Sequence, residues 1–281
     1  MKLRSLLFVP GDRPDRMEKA LGLGADALIL DLEDAVSLGN KESARTRVAA
    51  FLNSSRDHGI KLIVRVNPLD SGLTQTDLNL ILKANPDAIM LPKADGANSV
   101  QQTLHTMQEI GPVVPILPLT VETPGALFSL SEYQNVQEKL YGLTWGAEDL
   151  SASLGTKGSR DQEGVLREPL KLARSLIVFA ARAAQVPAIE TVFADFKNEN
   201  NLRIAANQAA QDGFTGMMAI HPAQIPIINK AFTPSEEEIA HAKQIVEAFE
   251  SNPGQGAQQI NGKMIDAAHL KLAKSLIERS L

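Results

Sequence analysis

Eight short apolar runs punctuate the first 222 residues, each rich in Val, Ile and Leu and each closed by polar residues or proline. They are RSLLFVP (4–10), ALILDLED (27–34), LIVRVNP (62–68), AIMLPKA (88–94), ILPLTVET (116–123), YGLTWGAEDL (141–150), PAIETVF (187–193) and GMMAIHP (216–222). Such runs, apolar without polar alternation, predict strands buried on both faces. Between them lie helix-compatible stretches, among them DRMEKALGLG, KESARTRVAAFLNSSRDHG, LREPLKLARSLIVFAARAAQ and NENNLRIAANQAAQDG, several stopped by glycine. Strands alternating with helices predict a parallel sheet, and eight such units predict a TIM (β/α)8 barrel, with a doubly wound sheet as the alternative. The pattern stops near residue 233. TPSEEEIAHAKQIVEAFE opens with a helix start at Thr233 or Ser235, SNPGQGAQQINGK reads as a flexible Gly/Gln loop, and DAAHLKLAKSLIERSL reads as a last helix. The expected organisation is therefore a barrel over 1–232 and a C-terminal helical arm over 233–281.

Composition narrows the class. With 281 residues and 44% hydrophobics the chain can bury one large core, in the size range of single-domain barrels. A net charge of −5 provides no basic field, so nucleic acid and anionic membrane are poor partners and a small-molecule ligand is expected. The absence of cysteine excludes a disulfide framework, a thiolate metal site and a cysteine nucleophile together. The apolar run before Pro10 is too short for a signal-peptide core, and no run approaches the ~18 residues of a membrane span, which predicts a soluble cytoplasmic protein.

Barrel enzymes build their sites at the C-terminal ends of the strands. Here those ends carry Asp31, Glu33 and Asp34, then Arg65 and Asn67, Lys93, Glu122, Glu148 and Asp149, Glu190 and Asp195, and His221. Any one acid there could simply be reaching water. Convergence from six or more strands points to chemistry. Oxygen donors without cysteine suit a hard divalent ion such as Mg2+, which takes one or two carboxylates and leaves its other positions to water and substrate. Zinc would need more than His221, which is followed by Pro222 and has no second histidine at ligand spacing; a structural hydrogen bond suits it better.

RSLLFVPG, LILDLEDAV, IVRVNP, IMLPKA, VETPGAL, WGAEDL, AIETVF and GFTGMMAIHPAQI, in this order over nearly the whole chain, resemble the citrate lyase β-subunit and malyl-CoA lyase family of Mg2+-dependent carbon–carbon lyases. The resemblance implies a TIM barrel and a reversible aldol or Claisen-type cleavage of a β-hydroxyacyl-CoA ester into an acyl-CoA and a 2-oxo acid. It places the metal ligands on Glu122 and Asp149 and makes Glu33 and Asp34 holders of metal-bound waters, with Asp31 nearer the barrel wall. Arg65 would hold an oxygen of the small acid. Asp266, in NGKMIDAAHLKLA, matches an arm residue that enters a neighbouring subunit as general acid/base, which implies a homo-oligomer, trimer or hexamer. Asp266 is also a good cap for the helix that follows it.

The same resemblance puts Arg13 and Lys19 on CoA phosphates, while for Arg16 a solvated helix face competes; Phe8 is a candidate nucleotide contact, with core filling as its alternative. One departure is Met217, which stands after GFTG where the family often has Lys. Substrates in view are malyl-, citramalyl- and citryl-CoA, with thioester hydrolysis as an accompanying activity. The alternatives are a class II aldolase acting on free hydroxy-oxo acids, and a barrel that binds CoA esters without turnover.

Overall fold

The computed structural model describes residues 2–54, 59–252, 254 and 256–280. Two compact units are present, Leu3–Asn229 and a smaller C-terminal unit that begins at Lys230.

The larger unit is a (β/α)8 barrel. Its strands are β1 (Ser5–Pro10), β2 (Ala27–Asp31), β3 (Lys61–Arg65), β4 (Ala88–Ala94), β5 (Ile116–Thr120), β6 (Thr144–Trp145), β7 (Ile189–Glu190) and β8 (Gly216–Ala219). They pair in parallel in the order β6-β5-β4-β3-β2-β1-β8-β7. A single bridge, Leu143 with Ala188, joins β6 to β7 and closes the ring through Leu143 N–H to Pro187 C=O and Ile189 N–H to Leu143 C=O. Leu6, Ile29, Ile63, Met90, Leu119, Ile189 and Met218 belong to one buried cluster contributed by seven strands. Both faces of β2 are buried, so its run is apolar throughout, and only at Asp31 does a charge appear.

Helices α1 (Pro14–Ala20), α2 (Lys41–Ser54), α3 (Thr74–Ile81), α4 (Ala97–Ile110), α5 (Ala147–Leu154), α6 (Glu168–Ala183), α7 (Glu199–Asp212) and α8 (Gln224–Ala231) follow the strands. After β5 the chain runs instead as 3-10 turns over Gly125–Lys139, broken at Val136. Residues 55–58, at the end of the stretch expected to form α2, lie outside the described residues. Two expected strands are much shorter than their apolar runs. In YGLTWGAEDL the strand ends at Trp145, and Glu148 and Asp149 belong to the first turn of α5 rather than to a strand end. In PAIETVF the strand is only Ile189 and Glu190, which pair with β8, preceded by the bridge at Ala188.

The smaller unit contains α9 (Glu236–Ser251), β9 (Ala257–Ile260), β10 (Lys263–Asp266) and α10 (Ala267–Ser280). Ser235 rather than Thr233 caps α9, in a reciprocal box with Glu238. Half of the expected Gly/Gln loop is an antiparallel hairpin, Ala257 opposite Asp266 and Ile260 opposite Lys263. Its turn is Asn261-Gly262, both at positive φ (52° and 79°), the mirror-image turn that matches strand twist and that Asn-Gly favours. The flanking positions are mostly polar, which hid the strands. Pro253 and Gln255 of that loop lie outside the described residues. Ala242, Ile245, Ile265 and Ala273 form the unit's own small core. Among the described residues no helix is long and apolar enough to cross a membrane.

Candidate active site

The parallel register of β2 and β3 sets Asp31 opposite Arg65. Asp31 is 1% exposed. Its Oδ1 accepts Arg65 Nε at 2.8 Å and its Oδ2 accepts Nη2 at 2.6 Å, a two-pronged pair of the strong kind. The same carboxylate accepts the N–H of Glu33 at 2.8 Å and of Ala35 at 3.1 Å, which folds the LEDA loop over it. Arg65 Nη1 lies 2.7 Å from Glu33 Oε2, close as an ion pair though not aligned as a hydrogen bond, and 3.9 Å from Asp34. The guanidinium sits over the Phe8 ring, 4.8 Å from its centre. Burial opposes the charge on Arg65, and Asp31, Glu33 and Asp34 together outweigh it and raise its pKa. Arg65 is thus fixed and permanently cationic.

Lys41 supports this rim from below. It is buried and its Nζ donates to the carbonyls of Leu32 and Glu33, both at 2.7 Å. Sequence reasoning did not single it out; its signal was a cation in the first turn of a helix, where the dipole favours acids. Asn67 is also structural, since its N–H and Nδ2 both donate to buried Asp77 at 2.7 Å.

The β4–β6 side is built differently. Glu122 follows β5, is 4% exposed, and accepts the backbone N–H of Lys93 in a short bond. Lys93 and Val121 hold left-handed backbone angles (φ 50° and 53°), unfavourable for a β-branched residue such as Val121 and of the kind found where geometry serves a site. A Cβ on Gly146 would stand 2.6 Å from Glu122 Cγ, so the glycine of WGAED leaves the room this side chain occupies. Burial, and then the charges of Asp149 and Glu33, push the Glu122 carboxyl up to about 8, against the Lys93 N–H and Arg65. Burial likewise lifts Glu33 to about 7, against Arg65.

These groups surround a cavity of about 730 Å3 whose wall includes Phe8, Arg16, Lys19, Asp31, Asp34, Arg65, Glu122, Trp145, Glu148, Asp149 and His221. Glu33 stands behind Arg65 rather than on the wall, and Arg13 is not on it either; Arg13 Nε is 3.5 Å from Asp15. Glu190 turns away to accept Trp145 Nε1 at 2.7 Å and Arg174 Nε at 2.5 Å. His221 Nδ1 accepts the Ala223 N–H at 3.2 Å and its ring stacks on Phe196. Met217 is fully buried in β8. The oxygen-only donor pair Glu122 and Asp149, with Glu122 short of positive partners, fits a hard divalent cation.

In the C-terminal unit Asp266 ends β10 and caps α10, its Oδ1 accepting the N–H of Ala268 at 3.0 Å and of His269 at 3.3 Å. His269 Nδ1 lies 2.7 Å from the same oxygen, a contact that the sequence reading did not anticipate.

The family model described as HpcH/HpaI aldolase/citrate lyase matches residues 4–222. Over 289 residues the chain is 35% identical to the citrate lyase subunit beta of Haemophilus influenzae, covering 100% of this chain and 98% of that protein. It is 34% identical to a (3S)-malyl-CoA thioesterase of Cereibacter sphaeroides, covering 99% and 94% respectively. Among solved structures, CitE from Mycobacterium tuberculosis in complex with magnesium, acetoacetate and coenzyme A superposes with a TM-score of 0.83 at 33% identity, over 99% of this chain and 97% of that one.

Proposed function

Because the chain belongs to the HpcH/HpaI aldolase/citrate lyase family, and so to the lyases, we propose that it is a Mg2+-dependent carbon–carbon lyase acting on a β-hydroxyacyl-CoA ester such as malyl-, citramalyl- or citryl-CoA. The observation that carries this reading is Glu122, a buried carboxylate with one backbone donor, on the same cavity wall as Asp149 and the fixed guanidinium of Arg65. Glu122 and Asp149 would hold Mg2+, which supplies a Lewis acid and a template for the carboxylate and adjacent oxygen of the 2-oxo acid.

Cleavage moves the hydroxyl proton to a base as that oxygen becomes the carbonyl of the 2-oxo acid. The electron pair of the breaking bond passes to the α carbon of the thioester, and the resulting enolate takes a proton to give the acyl-CoA. Arg65 commits Nε and Nη2 to Asp31, so its remaining N–H bonds stand preset beside the charge that develops on oxygen. Asp34, largely exposed at the cavity, and Glu33 behind Arg65 would order water around the cation. Phe8, Arg16 and Lys19 would receive the CoA moiety, with Arg13 further out on the same helix start. Asp266 would supply the acid/base from the arm of a neighbouring subunit in a cytoplasmic homo-oligomer, trimer or hexamer.

A panel of CoA esters assayed with Mg2+ and with EDTA tests the reading. Release of a 2-oxo acid in Mg2+ that stops in EDTA is expected; undiminished release in EDTA overturns it, and free CoA without a 2-oxo acid would mean thioester hydrolysis instead. For the arm, mixing Asp266→Asn with Arg65→Ala subunits should restore part of the activity, and dead mixtures after verified exchange would confine Asp266 to its own chain.

A further inference from the structure

The carboxylate of Asp266 is held unequally. Its Oδ1 accepts two backbone N–H groups and lies 2.7 Å from His269 Nδ1, whereas Oδ2 has no partner among the described residues. A helix cap needs only the backbone donors. The imidazole is an addition, made possible because His269 stands three residues on and its ring returns over the cap. Apart from the amide of Asp266 itself, no hydrogen bond or ion pair from α9, β9 or β10 reaches either side chain among the described residues. An ionised carboxylate only accepts hydrogen bonds, so the 2.7 Å contact assigns the proton to Nδ1. The Asp266 N–H points at the same nitrogen from 3.2 Å, a bond that would need the Nδ1 lone pair and favour the other tautomer; the contact to the carboxylate is shorter by half an ångström and charged, and decides the assignment.

We propose that His269 is a positioning residue for the acid/base of this lyase: its Nδ1–H fixes Oδ1, so that Oδ2 is the atom that takes the substrate proton and returns it. The inference rests on the reading of Asp266 as that acid/base. A carboxylate tied at one oxygen presents the other in one orientation, which lowers the entropy lost on reaching a reactive geometry. The same donor favours the ionised form. Hydrogen bonding by His269, and then by the backbone N–H groups, holds Asp266 below the usual carboxylate range. Without the imidazole the carboxylate would keep only its two backbone donors, hold its orientation less firmly and titrate at higher pH, so the acid limb of the rate profile would move up.

The test uses the full-length protein, with kcat and KM measured from pH 3 to 9 for wild type, His269→Leu, His269→Asn and Asp266→Asn. His269→Leu should lower kcat about tenfold with little change in KM and shift the acid limb upward. His269→Asn, whose amide N–H can stand where Nδ1–H stood, should recover most of kcat and the wild-type limb. Independently, 15N NMR should show His269 as the Nδ1–H tautomer, and Asp266→Ala, which removes the acceptor, should abolish that preference. If Asp266→Asn retains activity, the acid/base assignment fails and this inference with it. If Asp266→Asn is inactive while His269→Leu keeps wild-type kcat and pH profile, or if the ring is Nε2–H in wild type, the assignment of Asp266 stands and the role of His269 is overturned.

Discussion

Asp31 ends one barrel strand and Glu122 follows another, both are almost fully buried, and they live in opposite electrostatic conditions. Asp31 accepts four hydrogen bonds, two from a guanidinium, and needs nothing more. Glu122 accepts one backbone N–H and faces the charges of Asp149 and Glu33. Burial of a carboxylate is costly unless donors or cations offset it. The saturated acid is therefore an anchor for Arg65, and the undersupplied acid is where a cation would be gained.

The largest effect should come from removing the undersupplied side. Glu122→Gln or Asp149→Asn should lower kcat/KM on the order of 10^3-fold or more, since a Lewis acid contributes several kcal/mol to such a step. Circular dichroism should show the fold intact, and metal-free Glu122→Gln should melt no lower than wild type at pH 8. A large drop in its melting temperature would mean that Glu122 is a structural anchor like Asp31.

Next in size is the saturated side. Asp31→Asn leaves a buried guanidinium with half its partner, and should destabilise the barrel by about 3 kcal/mol as well as impair turnover. Denaturant melts measure the first effect; an unaltered midpoint would equate the two acids.

Third is pH. Folding raises the Glu122 carboxyl from 4.5 to about 8 and the Glu33 carboxyl to about 7, so between those values the folded chain keeps protons that the unfolded chain has lost. Stability of the metal-free protein should be full below about pH 4.5 as far as these two groups are concerned, and should fall as pH rises toward 8. Added Mg2+ should raise the melting temperature at pH 8 more than at pH 5.5, and an equal shift at both would remove the link between these acids and the metal.

The smallest effect concerns the outer wall. Replacing Arg13 and Lys19 together should raise KM for the CoA ester several-fold with kcat nearly unchanged, and salt should mimic the change. Because Arg16 rather than Arg13 lies on the cavity wall, Arg16→Gln should exceed Arg13→Gln in the same assay.

The barrel was legible because strands buried on both faces leave uninterrupted apolar runs, and the rim was legible because charges end them. Asp31 facing Arg65 follows from parallel register, yet no spacing announces which acid Arg65 will choose. The short β6 was hidden because Gly146-Ala147 continues the apolar run while the backbone already turns into α5. The hairpin went unread because Ala257-Gln258-Gln259 has no apolar alternation, although Asn261-Gly262 marked its turn. Lys41 and His269 act through backbone carbonyls and a cap, partners that a residue string does not display.

The closure between β6 and β7 carries an optical consequence. The chain has one tryptophan, Trp145, wholly buried, and its indole N–H reaches across that join to Glu190. The join has one bridge and two-residue strands on either side, so it offers few ladder bonds to resist opening. Intrinsic fluorescence therefore reads this seam without a label: emission stays at short wavelength while the ring is shut and moves to the red when water reaches the indole. A red shift that precedes the loss of helical ellipticity on heating would show the barrel unzipping there before it unfolds.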